Sequence, residues 1–306
     1  MKTYVFFAFI LGMTSSPPLG AAPVKAHRTM SELVASSKPT DWRELNPENT
    51  LYLELASGRV IIELAPQYAP NHVTNVKALA REKYWDGLDI VRSQDNYVVQ
   101  WADPNAEKPE LKRKVKGAKE TLPAEFDRAI DSKASFTRLK DGDVYAKEVG
   151  YSDGFPVARD RKLNKTWLVH CYGAVGAGRD NSIDSGGGTE LYAVTGHSPR
   201  QLDRNVTLLG RVVQGMELLS SLQRGKAALG FYTNPEQNVL IQSIHVASDI
   251  PLNERTRLEI LRTDTPLFLQ LIEARRNRKE EWFHIQAHHV EVCNVPIPVR
   301  TVGEKK

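Results

Sequence analysis

The chain has 306 residues, enough for one large domain or two small ones. Hydrophobic residues make up 41% of it and charged residues 25%, which is typical of a globular protein. The formal net charge of +4 is small for this length, and we predict no binding of nucleic acid, which usually needs a clustered basic face.

Residues 1–26 have the pattern of a secretory signal peptide. Lys2 supplies a positive start, residues 4–13 form a short apolar core, and small residues and prolines follow. We expect cleavage near Ala22 or after Ala26. The apolar core is too short to span a membrane, and no later segment approaches spanning length. We therefore expect a mature protein without a membrane span, periplasmic or secreted.

Residues 27–49 are mostly polar and precede the first alternating pattern. Thr29 and Ser31 are both candidates for the N-cap of a short helix, because their hydroxyls accept hydrogen bonds from free N–H groups at a helix start. We interpret this segment as an N-terminal extension.

The next segment predicts a β-hairpin followed by a helix. Residues 51–55 and 59–64 carry apolar side chains at every second position, and the turn between them includes Gly58. Pro70 suits the first turn of a helix, and apolar residues recur after it at helical spacing until about Tyr84.

Two short strands are predicted over residues 88–92 and 96–101, because both are rich in β-forming residues around a polar turn. Arg92 ends the first strand. On the second, Val98 and Gln100 share one face, since side chains alternate along a strand. An arginine, an amide and apolar side chains on one sheet surface would make a small pocket. From this stretch alone, the alternative is a salt-bridged surface arginine beside an ordinary strand.

Three polar segments interrupt the second half of the pattern. Residues 105–119 are rich in Lys and Arg, which favours a solvated surface over a site for an acidic partner. Residues 127–165 hold many charges and several glycines, and we interpret them as an inserted loop or hairpin. Residues 176–188 are rich in glycine but lack the Gly-Lys-Ser/Thr of a phosphate-binding loop. We predict a flexible loop that lets another backbone approach closely.

Residues 167–175, 206–213 and 239–246 predict further strands, and residues 215–222 predict a helix. The segment 250–306 is a predicted extension with two helices, which we place over residues 255–262 and 266–280. Thr265 is the expected N-cap of the second helix, ahead of Pro266. A docked extension and a partner-binding arm are both open interpretations.

The two cysteines, Cys171 and Cys293, lie far apart in the sequence. They would pair in an oxidising compartment, or each would be a buried free thiol in an apolar strand. We predict no metal site, because a zinc site needs more ligands than this spacing offers.

Residues 90–103, I-V-R-S-Q-D-N-Y-V-V-Q-W-A-D, resemble the F-H-R-x-x-x-x-F-M-x-Q-x-G-D signature of the cyclophilin family of peptidyl-prolyl isomerases. Arg92, Gln100 and Asp103 match the signature. The resemblance covers about residues 51–246, with weak matching in the insert.

The resemblance implies a mainly β fold, a closed antiparallel barrel of about eight strands capped by two helices. The barrel domain would span residues 50–249, with an insert at about 127–165 and a short strand at 120–126. Residues 27–49 and 250–306 would be helical extensions outside the barrel.

The resemblance also implies an activity, the acceleration of X-Pro bond rotation in proline-containing polypeptides such as unfolded exported proteins. Arg92 would be the key donor and Gln100 would help to orient it, with no cofactor or metal. Tyr97, Val98, Tyr192 and Leu202 would line the proline pocket, Gly178 and Arg179 would offer extended backbone to the substrate, and Glu190 would lie close by.

The chain departs from the family pattern in ways that affect substrate preference. A non-catalytic chaperone or adaptor that uses the same barrel pocket is the alternative function. The missing tryptophan also implies weak binding of the cyclic peptide cyclosporin. The departures are Tyr97 for phenylalanine, Val98 for methionine, Glu190 for glutamine, Tyr192 for phenylalanine, Gln201 for tryptophan and Val206 for histidine.

Overall fold

The computed structural model describes residues 28–303, so the predicted signal peptide lies outside the described part of the chain. The N-terminal extension begins with helix α1 (Met30–Ala35) and continues to strand β1 (Trp42–Glu44). Thr29 is the N-cap: its hydroxyl accepts from the Glu32 N–H (3.2 Å), and the Glu32 carboxylate accepts from the Thr29 N–H (2.7 Å). The predicted short helix is confirmed.

The first half of the central barrel follows the predicted order of hairpin, helix and two strands. Its elements are β2 (Thr50–Leu55), β3 (Gly58–Leu64), α2 (Pro70–Arg81), β4 (Asp89–Ser93) and β5 (Val98–Ala102). The short strand expected at residues 120–126 does not form. Instead, the Glu125 carboxylate accepts the N–H groups of Asn71 (3.0 Å) and His72 (2.9 Å), and so caps the start of α2.

The insert is more structured than the predicted loop or hairpin. It forms a five-stranded antiparallel sheet in the order β6-β10-β9-β8-β7. The single strand predicted over 167–175 is wrong, because the chain leaves this sheet after Leu168 and joins the barrel only at Ala174. The strands are β6 (Arg128–Ala129), β7 (Thr137–Arg138), β8 (Glu148–Ser152), β9 (Phe155–Asp160) and β10 (Lys165–Leu168).

The second half closes the barrel in the order β11-β12-β5-β4-β14-β2-β3-β13, with every neighbouring pair antiparallel. Val73, Val76 and Leu79 of α2, together with Leu219 of α3, join the buried core of the barrel. The mainly β, eight-stranded barrel with two covering helices is confirmed. The new elements are β11 (Ala174–Ala177), β12 (Leu191–Val194), β13 (Leu208–Gln214), α3 (Met216–Ser220) and β14 (Val239–Val246).

The C-terminal segment contains strand β15 (Leu258–Leu261), helix α4 (Pro266–Arg276) and strand β16 (Val299–Thr301). The helix predicted over 255–262 is wrong. Buried Leu258 and Ile260 alternate with a partly exposed residue, which is the period of a strand, and β15 lies between β1 and β16 in a three-stranded sheet. The predicted Thr265 N-cap of α4 is confirmed by its bond from the Phe268 N–H (3.3 Å).

A second hydrophobic core lies outside the barrel. It combines α1, β1, the inserted sheet and α4, with Leu33, Trp42, Tyr151 and Phe268 among its buried residues. The N-terminal segment, the insert and the C-terminal segment are therefore packed together. Among residues 28–303, none of the helices is both long enough and apolar enough to cross a membrane.

A disulfide joins Cys171 to Cys293, with an S–S distance of 2.09 Å. The pair is separated by 122 positions, and it links the segment before β11 to the C-terminal segment. Of the two interpretations left open by the sequence, the structure shows the paired one.

Candidate active site

The candidate site is organised around Arg92 on β4. The ladder between β4 and β5 is irregular between Ile90 and Arg92, and it sets Arg92 directly opposite Gln100. An irregularity of this kind re-aims a side chain relative to a regular strand. The predicted arginine and amide are therefore neighbours across one strand pair.

Three acceptors fix the orientation of the guanidinium. Nη1 donates to Gln100 Oε1 (2.9 Å), Nε donates to the Leu229 carbonyl (2.6 Å), and Nη2 donates to Gln94 Oε1. A guanidinium has five N–H groups, so one on each terminal nitrogen has no partner among residues 28–303. Burial lowers the pKa of Arg92, but an arginine stays protonated at physiological pH.

Two aromatic rings flank the guanidinium. Its Cζ lies 5.7 Å from the ring centroid of Tyr97 and 5.4 Å from that of Phe231, within the range of cation–π attraction. Phe231 and Leu229 come from the segment between α3 and β14, which the sequence reasoning missed. Gly230 has a φ of +78°, and a side chain there would collide with the main chain of Gln94. This glycine lets the segment close over β4.

A hollow lined in part by apolar and aromatic side chains includes Arg92 in its wall. The whole cavity has a volume of about 1170 Å³, and its walls include Val206 as well as predicted residues. Gln201 is exposed and is not among the residues that line the cavity. All nine predicted residues line this one cavity: Arg92, Tyr97, Val98, Gln100, Gly178, Arg179, Glu190, Tyr192 and Leu202.

Gln100 connects Arg92 to a carboxylate. Its Oε1 accepts from Arg92, and its Nε2 donates to Glu190 Oε2 (2.9 Å), so the two contacts define which way the amide points. Burial raises the pKa of Glu190, and the negative charge of Asp180 raises it further, whereas the bond from Gln100 lowers it. The wall of the hollow therefore holds a carboxylate that protonates more easily than an ordinary glutamate.

The two residues predicted to offer backbone to a substrate differ in their availability. The Gly178 N–H already donates to the Glu190 carbonyl (2.9 Å). Among residues 28–303, the main chain of Arg179 forms no backbone–backbone hydrogen bond. The Arg179 guanidinium donates to the carbonyls of Asn205 (2.8 Å) and Asp180 (2.6 Å). Among the described residues, Gly178 therefore keeps its carbonyl for a ligand, whereas Arg179 keeps both main-chain groups.

Comparison with known proteins identifies the family. The sequence profile of the cyclophilin type peptidyl-prolyl cis-trans isomerase/CLD family matches residues 50–246, which is more than half of the chain. The chain belongs to the cyclophilin family. Cyclophilins of this type are peptidyl-prolyl cis-trans isomerases, and this cyclophilin is an enzyme of that class.

Named relatives agree with this assignment. Probable peptidyl-prolyl cis-trans isomerases of Brucella suis and Brucella abortus are each 27% identical over 199 residues, which cover 63% of this chain and 81% of theirs. The crystal structure of cyclophilin AquaCyp293 from Hirschia baltica is 25% identical, with a TM-score of 0.71 over 90% of this chain and 98% of that chain. The structural likeness therefore extends beyond the part matched by the family profile.

The cyclophilin pocket combines two properties on one surface. One wall presents a fixed, protonated N–H donor that is partly removed from water, and the rest of the lining includes aromatic and aliphatic side chains such as Tyr97 and Val98 as well as polar ones. A planar donor in such surroundings interacts more strongly with a developing lone pair than it would in water. The arrangement suits the binding of a compact apolar ring next to a polar atom that needs a donor.

Proposed function

We propose that Arg92 accelerates rotation of X-Pro bonds by donating a hydrogen bond to the prolyl nitrogen of the twisted amide. The observation that carries this proposal is the guanidinium itself, which lines the hollow. Three acceptors hold it in place, while two of its N–H groups have no partner in the described part of the chain. Gln100 is the orienting residue, because it contacts Arg92 and Glu190 at the same time.

The chemistry of the bond explains why such a donor suffices. Amide resonance produces a rotation barrier of roughly 18–20 kcal/mol, and twisting the bond localises a lone pair on nitrogen. A catalyst must bind this twisted state better than either planar form. The reaction therefore needs neither a nucleophile nor a cofactor. The hollow would hold the proline ring while Arg92 stabilises the nitrogen.

Isomerisation and passive chaperoning are separable with a short peptide that cannot aggregate. Exchange NMR on a peptide with one X-Pro bond is expected to show faster interconversion of its cis and trans forms when the protein is added. A chaperone that only holds unfolded chains would suppress aggregation of a denatured protein and leave the peptide exchange rate unchanged. That second result would contradict the proposed mechanism.

We propose further that the enzyme acts on exported proteins in a periplasm or outside the cell. The signal-like pattern of residues 1–26 supports export, and the Cys171–Cys293 disulfide suits an oxidising compartment. Mass spectrometry of the protein purified from its host is expected to find an N-terminus near Ala22 or after Ala26. A mature protein that keeps Met1 would contradict export by this route.

Glu190 is expected to give the isomerase a preference for substrates with Lys or Arg next to the X-Pro bond. At neutral pH we expect kcat/KM to be about 5-fold higher than for a matched glutamine peptide, as a partly exposed ion pair of roughly 1 kcal/mol would give. Protonation removes the charge as the pH falls. Because the pKa of Glu190 is raised, the preference should disappear at a higher pH than an ordinary glutamate with a pKa of 4.5 would allow.

The measurement is the ratio of kcat/KM for the two peptides as a function of pH, in the wild type and in Glu190→Gln. The variant restores the residue usual in the family and keeps the shape of the side chain. Its ratio should stay near one at every pH. If wild type and variant give the same ratio at neutral pH, Glu190 does not set this preference.

A further inference from the structure

A buried array of polar side chains lies behind the floor of the hollow. It begins at Tyr192, whose side chain lines the cavity while the residue is only 6% exposed. The Tyr192 hydroxyl lies 2.9 Å from Nε2 of His170, which is fully buried. Neither the family signature nor the proposed role of Arg92 requires this contact.

The partners of His170 define the tautomer of its neutral ring. Asp203 Oδ1 accepts from both the main-chain N–H (3.0 Å) and the ring Nδ1 (2.9 Å) of His170. A carboxylate only accepts, so Nδ1 carries the proton in the neutral ring and Nε2 is the acceptor. In this neutral tautomer the Tyr192 hydroxyl donates to Nε2. The two rings lie nearly parallel, with an interplanar angle of 10°.

The array continues to the inserted sheet. Arg200 Nε donates to Asp203 Oδ2 (2.6 Å), and its two terminal nitrogens donate to Asp143 at 2.7 and 2.9 Å. All three side chains are 6–8% exposed. Asp143 belongs to the segment between β7 and β8, so the insert is connected to the pocket floor through charge-assisted hydrogen bonds, which are the stronger kind.

A glycine completes the arrangement from the other side. Gly176 of β11 pairs directly with Tyr192 of β12, and a side chain at position 176 would collide with the tyrosine hydroxyl and ring. The ring thus occupies the space that a glycine leaves open, and its far end is held by His170. Gly176 and His170 therefore contact this ring from two sides.

We propose that His170 is a positioning residue for the isomerase: together with Asp203, Arg200 and Asp143, it holds the ring of Tyr192 as the floor of the hollow and thereby sets the affinity for the proline ring. The proposal rests on the proposed function, in that it takes the hollow as the proline site. His170 itself does not touch the substrate. We expect it to change the affinity of the floor equally for a planar and for a twisted X-Pro bond.

A floor that binds the ground state and the transition state equally well contributes to KM and not to kcat, so weakening it should raise KM alone. We expect His170→Leu, Tyr192→Phe and the double variant each to raise KM by about 5-fold, the equivalent of one neutral hydrogen bond, with kcat within twofold of wild type. The double variant should match His170→Leu, because that substitution already removes the contact that Tyr192→Phe removes. His170→Gln keeps a donor and an acceptor and is expected to recover most of the affinity.

The double variant separates positioning from stability. It leaves no unpaired group between positions 170 and 192, and Asp203 Oδ1 keeps the main-chain N–H of residue 170 as a donor. A purely structural contact would therefore give a wild-type KM in this protein, whatever its thermal unfolding temperature. Asp143→Asn should raise KM in the same direction, whereas Asp131→Asn, an exposed aspartate of the insert outside the array, should not.

Two failures are distinguishable in these assays. Full activity of Arg92→Ala would contradict the proposed mechanism whatever the floor variants do. An inactive Arg92→Ala together with a wild-type KM in the double variant and in Asp143→Asn would overturn only the role assigned to His170.

Discussion

Replacing Arg92 with alanine is expected to lower kcat/KM for X-Pro rotation by about 10²- to 10³-fold, the usual loss when one preorganised transition-state donor is removed. The wild-type guanidinium is already oriented by Gln94, Gln100 and the Leu229 carbonyl, so little reorganisation precedes catalysis. Alanine keeps the hollow and removes both unpartnered N–H groups. Exchange NMR on a peptide with a single proline measures the effect directly, without a coupled protease.

Two further variants make this result specific. Arg92→Lys keeps the positive charge but loses the planar fork that reaches three acceptors at once, so we expect it to recover only part of the activity. Arg161→Ala removes an arginine whose side chain is 70% exposed, and it should leave kcat/KM unchanged. Thermal unfolding of Arg92→Ala checks that the pocket still forms. Full activity in a folded Arg92→Ala would contradict the mechanism.

The part of the site carried by β4 and β5 was predictable because it is local. Arg92 and Gln100 are eight positions apart on two strands joined by a short turn, and the pairing on the turn side of the ladder irregularity sets them opposite each other. The hairpin β2–β3 and helix α2 were predictable for the same reason. In each case the period of the apolar residues matches an element whose partners are close in sequence.

The residues that close over Arg92 were not predictable in this way. Leu229 lies 137 positions beyond Arg92, and nothing in its local sequence indicates a contact with β4. The available signal was the glycine-aromatic pair Gly230 and Phe231 between a predicted helix and the last strand. A glycine there indicates a tight backbone approach, but it does not identify the other backbone.

The errors outside the barrel have a related cause. Strand β15 is four residues long, and such a short apolar run fits a helix turn as well as a strand. Its identity is decided by β1 and β16, which lie far from it in the sequence. The inserted sheet was missed because β6 and β7 have only two residues each, although β8, β9 and β10 pair with their neighbours in sequence. Long-range pairing decided the case of β15, where local preference was weak.

The disulfide is expected to contribute strongly to the free energy of unfolding of this protein. Replacing Cys171 and Cys293 together with alanine should lower the free energy of unfolding by about 3–5 kcal/mol, because a cross-link that closes a long loop restricts the unfolded chain most. The loop spans 122 positions, and Cys171 is buried in the second core. Urea unfolding curves of the wild type and the double variant give the difference from their midpoints and slopes.

A reducing agent provides the matched control for this measurement. It should destabilise the wild type toward the value of the variant and leave the variant unchanged, since the variant has no disulfide to lose. The isomerase activity of the folded variant should stay within twofold of wild type, because His170 keeps its bonds to Asp203 and Tyr192 without the cross-link. A difference in the free energy of unfolding below about 1 kcal/mol would contradict this prediction. It would mean that the unfolded chain without the cross-link already keeps the C-terminal segment near residue 171, so that the disulfide restricts it little further.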